Sequence, residues 1–374
     1  MSGKEQLDAL RQQIDEVDER LIPLFVQRMD AVQKVAQVKQ ENNLAVLDAK
    51  REAAILQKAS TLAGEEMRGE ISLLMRALLA LSKNRQRRAH FGGEIPLLPP
   101  ARAPKQEALT CVYQGMPGAW SEQALAELFP TAKQTPVEQF EDVFTSVRQG
   151  LADYGIVPIE NSQTGAIGET YDLLRKYGCF IVGRTTIEVK QCLLGTEDAA
   201  IEHIQNVYSH PEALSQCRRY LQKNHWEEVP CRNTAVAAKQ VAEKKDATCA
   251  AIASVHAAHC YGLQVLEKDI MDSSGNRTSF IVIAAEPEYE ESSTMVTVTF
   301  STAHRSGALC ELLLPFMAQD INLARIESRP GTAGSYRFFA DLEGNIQNEQ
   351  MVFALRQAAA AAEYFEVLGC YSVR

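Results

Sequence analysis

From Leu7 onward the apolar positions fall at Leu7, Leu10, Ile14, Val17, Leu21 and Leu24, then resume at Ala31, Val35 and Val38. This 3-4-3-4 spacing predicts one long helix whose apolar seam packs against another helix. Pro23 interrupts the run and predicts a kink or a locally loosened hydrogen-bond ladder. A second helical stretch is expected after Asp48 and a third from about Glu70 to Arg88. Three helices with one very long member close poorly on themselves. The long helix is therefore expected to cross its symmetry mate in a dimer.

The pattern changes at Phe91–Glu107, where Gly92, Gly93, Pro96, Pro99, Pro100 and Pro104 make a semi-rigid linker and a domain boundary. Beyond it, short apolar runs alternate with helical stretches: Leu109–Tyr113, Tyr154–Ile159, Phe180–Val182, Asn206–Tyr208, Ala250–Ala253 and Phe280–Ile283. They predict an α/β domain with largely parallel strands, long enough for two lobes. After the acidic stretch Glu286–Glu291 a third pattern begins. Val296, Val298 and Phe300 alternate as a strand, and Gly307–Phe316 reads as a helix. Asn322–Glu327 and Tyr336–Asp341 are strands around a Gly331–Gly334 turn, followed by a helix at Gln350–Ala362 and a strand at Phe365–Cys370. The order βαββαβ is the ferredoxin-like split motif.

Composition narrows the function classes. The 374 residues predict two or three domains, 46% hydrophobic residues suffice for real cores, and no apolar run is long enough to cross a bilayer. The first residues hold no apolar secretion signal, and nine cysteines lie scattered with no Cys-x-x-Cys pair, so a reducing cytoplasm is expected. A net charge of -10 argues against a nucleic-acid binder. Residues 1–90 carry 15 Lys+Arg and 13 Asp+Glu, or +2, which leaves -12 for the remainder. The first module can thus attract a small anion. Arg85, Arg87 and Arg88 read as a solvated helix end, since no aromatic residues interleave them.

Within that module Arg28 continues the series 7, 14, 21 and puts a charge where the seam wants a core residue. Such a charge needs a partner, either across a subunit interface or on a ligand. Lys39 lies three turns further on the same face, about 16 Å by helical rise. Arg11 precedes Arg28 by roughly 25 Å along the helix. It can reach the same ligand only from an antiparallel partner helix. Ser82 extends the stripe Ile71, Met75, Leu78 and has Gln86 four residues on. Asp48 suits a helix N-cap, with Arg51 and Glu52 in the following turn.

Arg11, Arg28, Lys39, Asp48, Arg51, Glu52, Ser82 and Gln86 together resemble the active-site pattern of the all-helical mutase domain in the bifunctional chorismate mutase–prephenate dehydratases. The likeness extends along the chain. Val157-Pro158-Ile159-Glu160-Asn161-Ser162, Ser209-His210-Pro211, Asn276-Arg277-Thr278-Ser279-Phe280 and Gly115-x-x-Gly118 before a helix carrying Ser121 resemble dehydratase signatures. Gly307-Ala308-Leu309-Cys310 and Glu327-Ser328-Arg329-Pro330 resemble the phenylalanine-binding motifs of the regulatory ACT domain. The resemblance implies an all-α intertwined-dimer mutase domain over 1–92 and a linker at 93–106. A two-lobed α/β dehydratase domain, periplasmic-binding-protein-like, would span 107–286, with an α+β ferredoxin-like ACT domain over 295–374.

The implied chemistry is chorismate to prephenate, then prephenate to phenylpyruvate, with feedback by L-phenylalanine and no cofactor or metal. Lys39, Gln86, Glu52 and Thr278 would be catalytic. Arg11, Arg28, Asp48, Arg51, Ser82, Asn161, Ser162, Ser209, Thr234 and Arg277 would bind substrate. Gly307, Ala308, Leu309, Glu327, Ser328, Arg329 and Pro330 would bind phenylalanine. The expected assembly is a homodimer or larger, without nucleic-acid or membrane partners.

One position departs from the family: Ser279 stands where it carries Arg in Thr-Arg-Phe. Arg277 shares a strand face with Ser279 and is expected to substitute. The rival reading is a mutase fused to a decayed dehydratase that acts as a phenylalanine or prephenate sensor. His256, His259 and Cys260 mimic a metal site on one helical face, but with no nearby acidic or cysteine partner a structural role is expected. Ser209-His210 lacks the strand–Gly-x-Ser-x-Gly turn that would expose a nucleophile.

Overall fold

The long apolar seam forms a single helix, α1 (Gly3–Glu41), followed by α2 (Ala49–Ala63) and α3 (Arg68–Phe91) in a computed structural model of the chain. The structure describes residues 3–91, 97–105, 107–331 and 336–374. The side chains of Arg87 and Arg88, Gly92, Gly93 and Pro96 of the linker, and most of the expected Gly331–Gly334 turn lie outside them. α1 runs through Pro23 as one continuous helix. Proline removes one ladder bond, and long helical flanks on both sides hold the rest. The seam faces outward: Leu10 is 56% exposed, Ile14 59% and Val17 58%. No element of the same chain covers this stripe among the described residues.

The middle of the chain builds two sheets. The first lobe contains β1 (Thr110–Gln114), α4 (Trp120–Leu128), β2 (Lys133–Val137), α5 (Phe140–Arg148), β3 (Tyr154–Asn161), β4 (Gly165–Ala166), α6 (Gly168–Tyr177) and β5 (Phe180–Glu188). The second contains β6 (Cys192–Gly195), β7 (Asn206–Ser209), α7 (Pro211–Gln216), α8 (Arg218–Asn224), β8 (Glu227–Pro230), α9 (Thr234–Lys244), β9 (Cys249–Ala253), α10 (Val255–Tyr261) and β10 (Gln264–Glu267). Then β11 (Arg277–Ala284) returns to the first sheet, giving the orders β2-β1-β3-β11-β5 and β10-β6-β9-β7-β8. The expectation of largely parallel strands is corrected. β1 pairs in parallel with β2 and β3, but β11 runs antiparallel to both β3 and β5. In the second sheet β6 is antiparallel to β9 and β10. The strand that returns from the far lobe enters from the opposite end and must run backwards.

The last module is β12 (Met295–Ser301), α11 (Ala308–Met317), β13 (Leu323–Pro330), β14 (Tyr336–Glu343), α12 (Glu349–Ala361) and β15 (Tyr364–Tyr371). Its sheet, β13-β14-β12-β15, is antiparallel throughout, as the βαββαβ reading requires. Its core is not sealed from the first lobe: Phe339, Leu368 and Tyr371 pack with Val157, Tyr171 and Ile181 in one cluster. Gly369 permits this approach, since a Cβ there would collide with the Ile181 carbonyl. At the same junction Asp341, fully buried, accepts from Arg184 and Arg325 at 2.8 Å each and from Thr297 at 2.7 Å. Burial pushes the Asp341 carboxyl up, but Arg325, Thr297 and Arg184 outweigh it and hold the group below its ordinary range. Among the described residues no helix is long and apolar enough to cross a membrane.

Candidate functional site

In the helical module the fold brings some of the expected residues together and leaves others apart. Arg28, half-buried on α1, donates to the Ser82 hydroxyl at 2.6 Å and to the Leu78 carbonyl at 3.4 Å on α3. Burial lowers its pKa from the usual arginine value. Lys39 donates to the Val46 carbonyl at 2.7 Å, which closes the turn before α2. Asp48 caps α2 by accepting from the Arg51 amide at 2.9 Å. The Arg51 side chain lines a groove between α2 and α3 with Ile55, Ile71 and Met75. Gln86 is buried, and its carboxamide oxygen has no partner among the described residues. Arg11 stays exposed beside Asp8.

Sequence reasoning missed Lys83, which reads as one more charge near a helix end. Its ammonium is nearly buried, 3.3 Å from Glu52 and 3.4 Å from Glu311 on α11. Glu311 also binds Arg305 at 2.9 Å. A chain of alternating charges therefore joins Glu52 to the C-terminal module. Burial pushes the Glu311 carboxyl up, but Arg305 and Lys83 outweigh it and lower its pKa.

Between the two lobes lies a cleft of about 410 Å³. Asn276, just before β11, and Thr278 and Phe280 on it face into the cleft, together with Asn161 at the end of β3, Ser121 in the first turn of α4 and Thr234 at the start of α9. Asn233 caps α9, accepting from Val236 at 2.7 Å. Two helix N-termini thus point positive dipole ends at one cavity, a natural anion site. Arg232 lines the same cleft and is its one cation among the described residues. The sequence offered no signal for it. Gln191, buried beside the cleft, has an unpartnered carboxamide oxygen.

Asn161 anchors the hydrogen bonds along this side of the cleft. Its Oδ1 accepts from the backbone amides of Gln163 at 2.9 Å and Thr164 at 3.2 Å, which fixes the orientation of the amide. Its Nδ2 must then face Asn276 Oδ1 at 2.8 Å and Thr278 Oγ1 at 2.9 Å. Because the Thr278 oxygen accepts from Asn161, its own hydrogen remains available to donate to another acceptor.

Three expected substrate contacts sit elsewhere. The cleft is lined by 276, 278 and 280, so Arg277 and Ser279 occupy the opposite face of β11. Arg277 is exposed opposite Glu188, and Ser279 bonds Thr186 at 3.1 Å. Arg277 therefore does not stand in for a cation in the cleft, and the Ser279 departure does not touch it. Ser209 is fully buried, its hydroxyl donating to the Ile252 carbonyl at 2.6 Å; the neighbouring His210 lines the cleft instead. Ser162 accepts from the Arg277 amide at 2.9 Å and steadies the start of β11.

In the C-terminal module Gly307, Ala308 and Leu309 line a pocket of about 220 Å³ with Tyr336 and Phe338. Gly307 has φ +79° and enters α11 in the left-handed conformation that glycine tolerates. Glu327–Pro330 form the end of β13, where Arg329 reaches Asp172 of α6 at 3.7 Å. Within one chain the two motifs do not share the pocket.

Two families match the sequence: chorismate mutase type II over residues 10–87 and prephenate dehydratase over residues 111–288. An arogenate dehydratase/prephenate dehydratase from Arabidopsis thaliana is 37% identical over 70% of this chain and 72% of its own. The solved prephenate dehydratase from Arthrobacter aurescens, in complex with L-Phe, superposes with a TM-score of 0.65 at 28% identity, over 71% of this chain and 90% of that one. A bifunctional chorismate mutase/prephenate dehydratase from Aquifex aeolicus is 33% identical over 98% of each chain. With both enzyme domains matched and a bifunctional relative aligned almost end to end, the chain belongs to the bifunctional chorismate mutase/prephenate dehydratase family.

Proposed function

We propose that three modules divide two reactions and their control. Residues 1–92 rearrange chorismate, residues 107–286 convert prephenate to phenylpyruvate, and residues 295–374 are an ACT domain that binds L-phenylalanine, with 93–106 as linker. The first reaction is an intramolecular rearrangement: one ether C–O bond breaks as one C–C bond forms, with no proton, nucleophile or metal. The protein folds the substrate into its reactive shape and stabilises charge on the departing oxygen. Arg28 and a partner chain's Arg11 hold the two carboxylates, and Lys39 and Gln86 face the ether oxygen. Glu52 and Asp48 orient the hydroxyl end, with Ser82 and Arg51 completing the pocket. The exposed α1 seam and the distance of Arg11 from the other residues support an intertwined dimer. A second copy would also bring Glu327–Pro330 to the Gly307–Leu309 pocket. Nine free cysteines fit a cytoplasmic setting.

In the second reaction the ring hydroxyl leaves as water, the ring carboxylate leaves as carbon dioxide, and aromatisation drives both. The Asn161–Thr278 pair carries this reading, because it leaves one hydroxyl hydrogen available in a cleft faced by two helix N-termini and Arg232. Thr278 donates to the leaving hydroxyl, while Arg232, Thr234 and the helix ends hold carboxylate. The decayed-sensor alternative loses its motive, since Ser279 lies outside the cleft. A coupled assay following chorismate to phenylpyruvate, with and without L-phenylalanine, tests all three modules. Thr278→Ala should abolish the second step and spare the first, and L-phenylalanine should slow the second. Loss of both steps together, or indifference to phenylalanine, would count against the division.

A further inference from the structure

The pair His256 and Cys260 lacks an acidic neighbour in sequence, but the fold supplies one from 134 residues away. Glu122 Oε2 lies 2.8 Å from His256 Nε2 and 3.9 Å from Cys260 Sγ, and Sγ lies 3.8 Å from Nε2. The three donor atoms fall within 4.8 Å of one another. Tetrahedral zinc with bonds of about 2.0–2.3 Å places its ligand atoms roughly 3.3–3.7 Å apart, so the nitrogen–oxygen edge needs to lengthen by about half an ångström or slightly more and the two sulfur edges to shorten by a few tenths. A cysteine–histidine–carboxylate relay would put thiol and acid on opposite ring nitrogens. Here both converge on Nε2, which is the geometry of co-ligands.

The surroundings are built as a ligand shell. Tyr113 donates to Glu122 Oε1 at 3.1 Å, and the Gly118 amide donates to Oε2 at 2.6 Å. Both orient the carboxylate as outer-shell groups do in metal sites. His256 and Cys260 are one turn apart on α10, which Ser254 caps by accepting from Ala257 at 3.0 Å. Glu122 belongs to the first lobe and α10 to the second. Their faces already touch: Tyr261 donates to the Pro117 carbonyl at 2.6 Å, and Gly118 lies so close to Ala257 that a Cβ would crowd it. The Cys260 thiol is exposed, leaving an entry path.

We propose that Glu122, His256 and Cys260 form a site for one divalent, borderline-soft cation of the zinc class, which ties the two lobes together beside the cleft and keeps a fourth position for water. The mixed sulfur, nitrogen and oxygen donors select against magnesium and calcium. The test titrates cobalt(II), then zinc(II), into the full-length protein with its thiols kept reduced by a phosphine. One equivalent of cobalt per chain should bind, with a thiolate-to-cobalt charge-transfer band and tetrahedral visible bands, and zinc should displace it. Cys260→Ser should abolish the charge-transfer band, His256→Ala should weaken binding, and Tyr113→Phe should weaken it about 10- to 100-fold. Cys310→Ser, which removes another exposed thiol, should leave the band intact. Zinc should also raise the unfolding temperature of the parent protein but not of Cys260→Ser. A band that survives in Cys260→Ser, or no saturable binding by a folded protein active as a dehydratase, would overturn the proposal.

Discussion

Thr278→Val replaces the hydroxyl with a methyl of nearly the same shape and so removes one donor from the cleft without opening a cavity. If Thr278 delivers its hydrogen to the departing hydroxyl, the loss should resemble that of a general acid, about 10²- to 10⁴-fold in kcat, or roughly 2.7–5.5 kcal/mol. The substitution also strips one acceptor from Asn161 Nδ2, which keeps its bond to Asn276 at 2.8 Å. One half-buried N–H left unpaired costs about 1–3 kcal/mol of stability, so thermal unfolding is measured alongside. Asn161→Ala removes the donor to the Thr278 oxygen, and it should act through Thr278. In the double variant the two losses should therefore not multiply. Its kcat should fall within about 0.5 kcal/mol of the Thr278→Val value. The assay is steady-state conversion of prephenate to phenylpyruvate, with mutase turnover as the control for folding. More than about a tenth of the parental kcat in Thr278→Val, well outside the expected loss, would refute the assignment. Fully multiplicative effects of the two substitutions would refute the positioning role of Asn161.

Co-refolding Arg11→Ala with Lys39→Ala, each inactive as a mutase by itself, should restore about a quarter of parental mutase activity, because half the dimers then hold one intact site of two. No recovery would place Arg11 outside its partner's site. Lys83→Met should lower mutase kcat/KM and spare the dehydratase, with a stability loss of about 1–3 kcal/mol from the carboxylates of Glu52 and Glu311 left without their shared cation; unchanged mutase kinetics would show that Glu52 holds its position unaided. Asp341 is held below its ordinary pKa by Arg325, Thr297 and Arg184 against the effect of burial, so its stabilisation is full above the unfolded carboxyl value of about 3.9 and is lost as pH falls through the folded value. Asp341→Asn should weaken that acid limb of the stability profile and cost about 3–5 kcal/mol at neutral pH, read from denaturant unfolding; an unaltered acid limb would discount the buried cluster.

What was legible in the sequence is local and periodic. The seam from Leu7 to Val38 and the βαββαβ order of the last module were readable because each follows from spacing within a few dozen residues. Thr278 and Asn161 came from motif resemblance, and the structure adds the bond between them. Period-two alternation correctly put Arg277 and Ser279 on one face of β11, but alternation cannot say which face meets the cleft. That depends on β11 returning antiparallel between β3 and β5. Arg232, Lys83 and Glu122 carried no signal, since a lone charge looks like solvated surface until another element arrives beside it. Glu122 meets His256 because the first turn of α4 in one lobe closes on α10 of the other, and Lys83 meets Glu311 from 228 residues away. Short-range pattern determined the elements and their order; only the packing of elements distant in the chain decided which polar groups confront each other, because that choice is made by the shapes and buried faces of whole lobes.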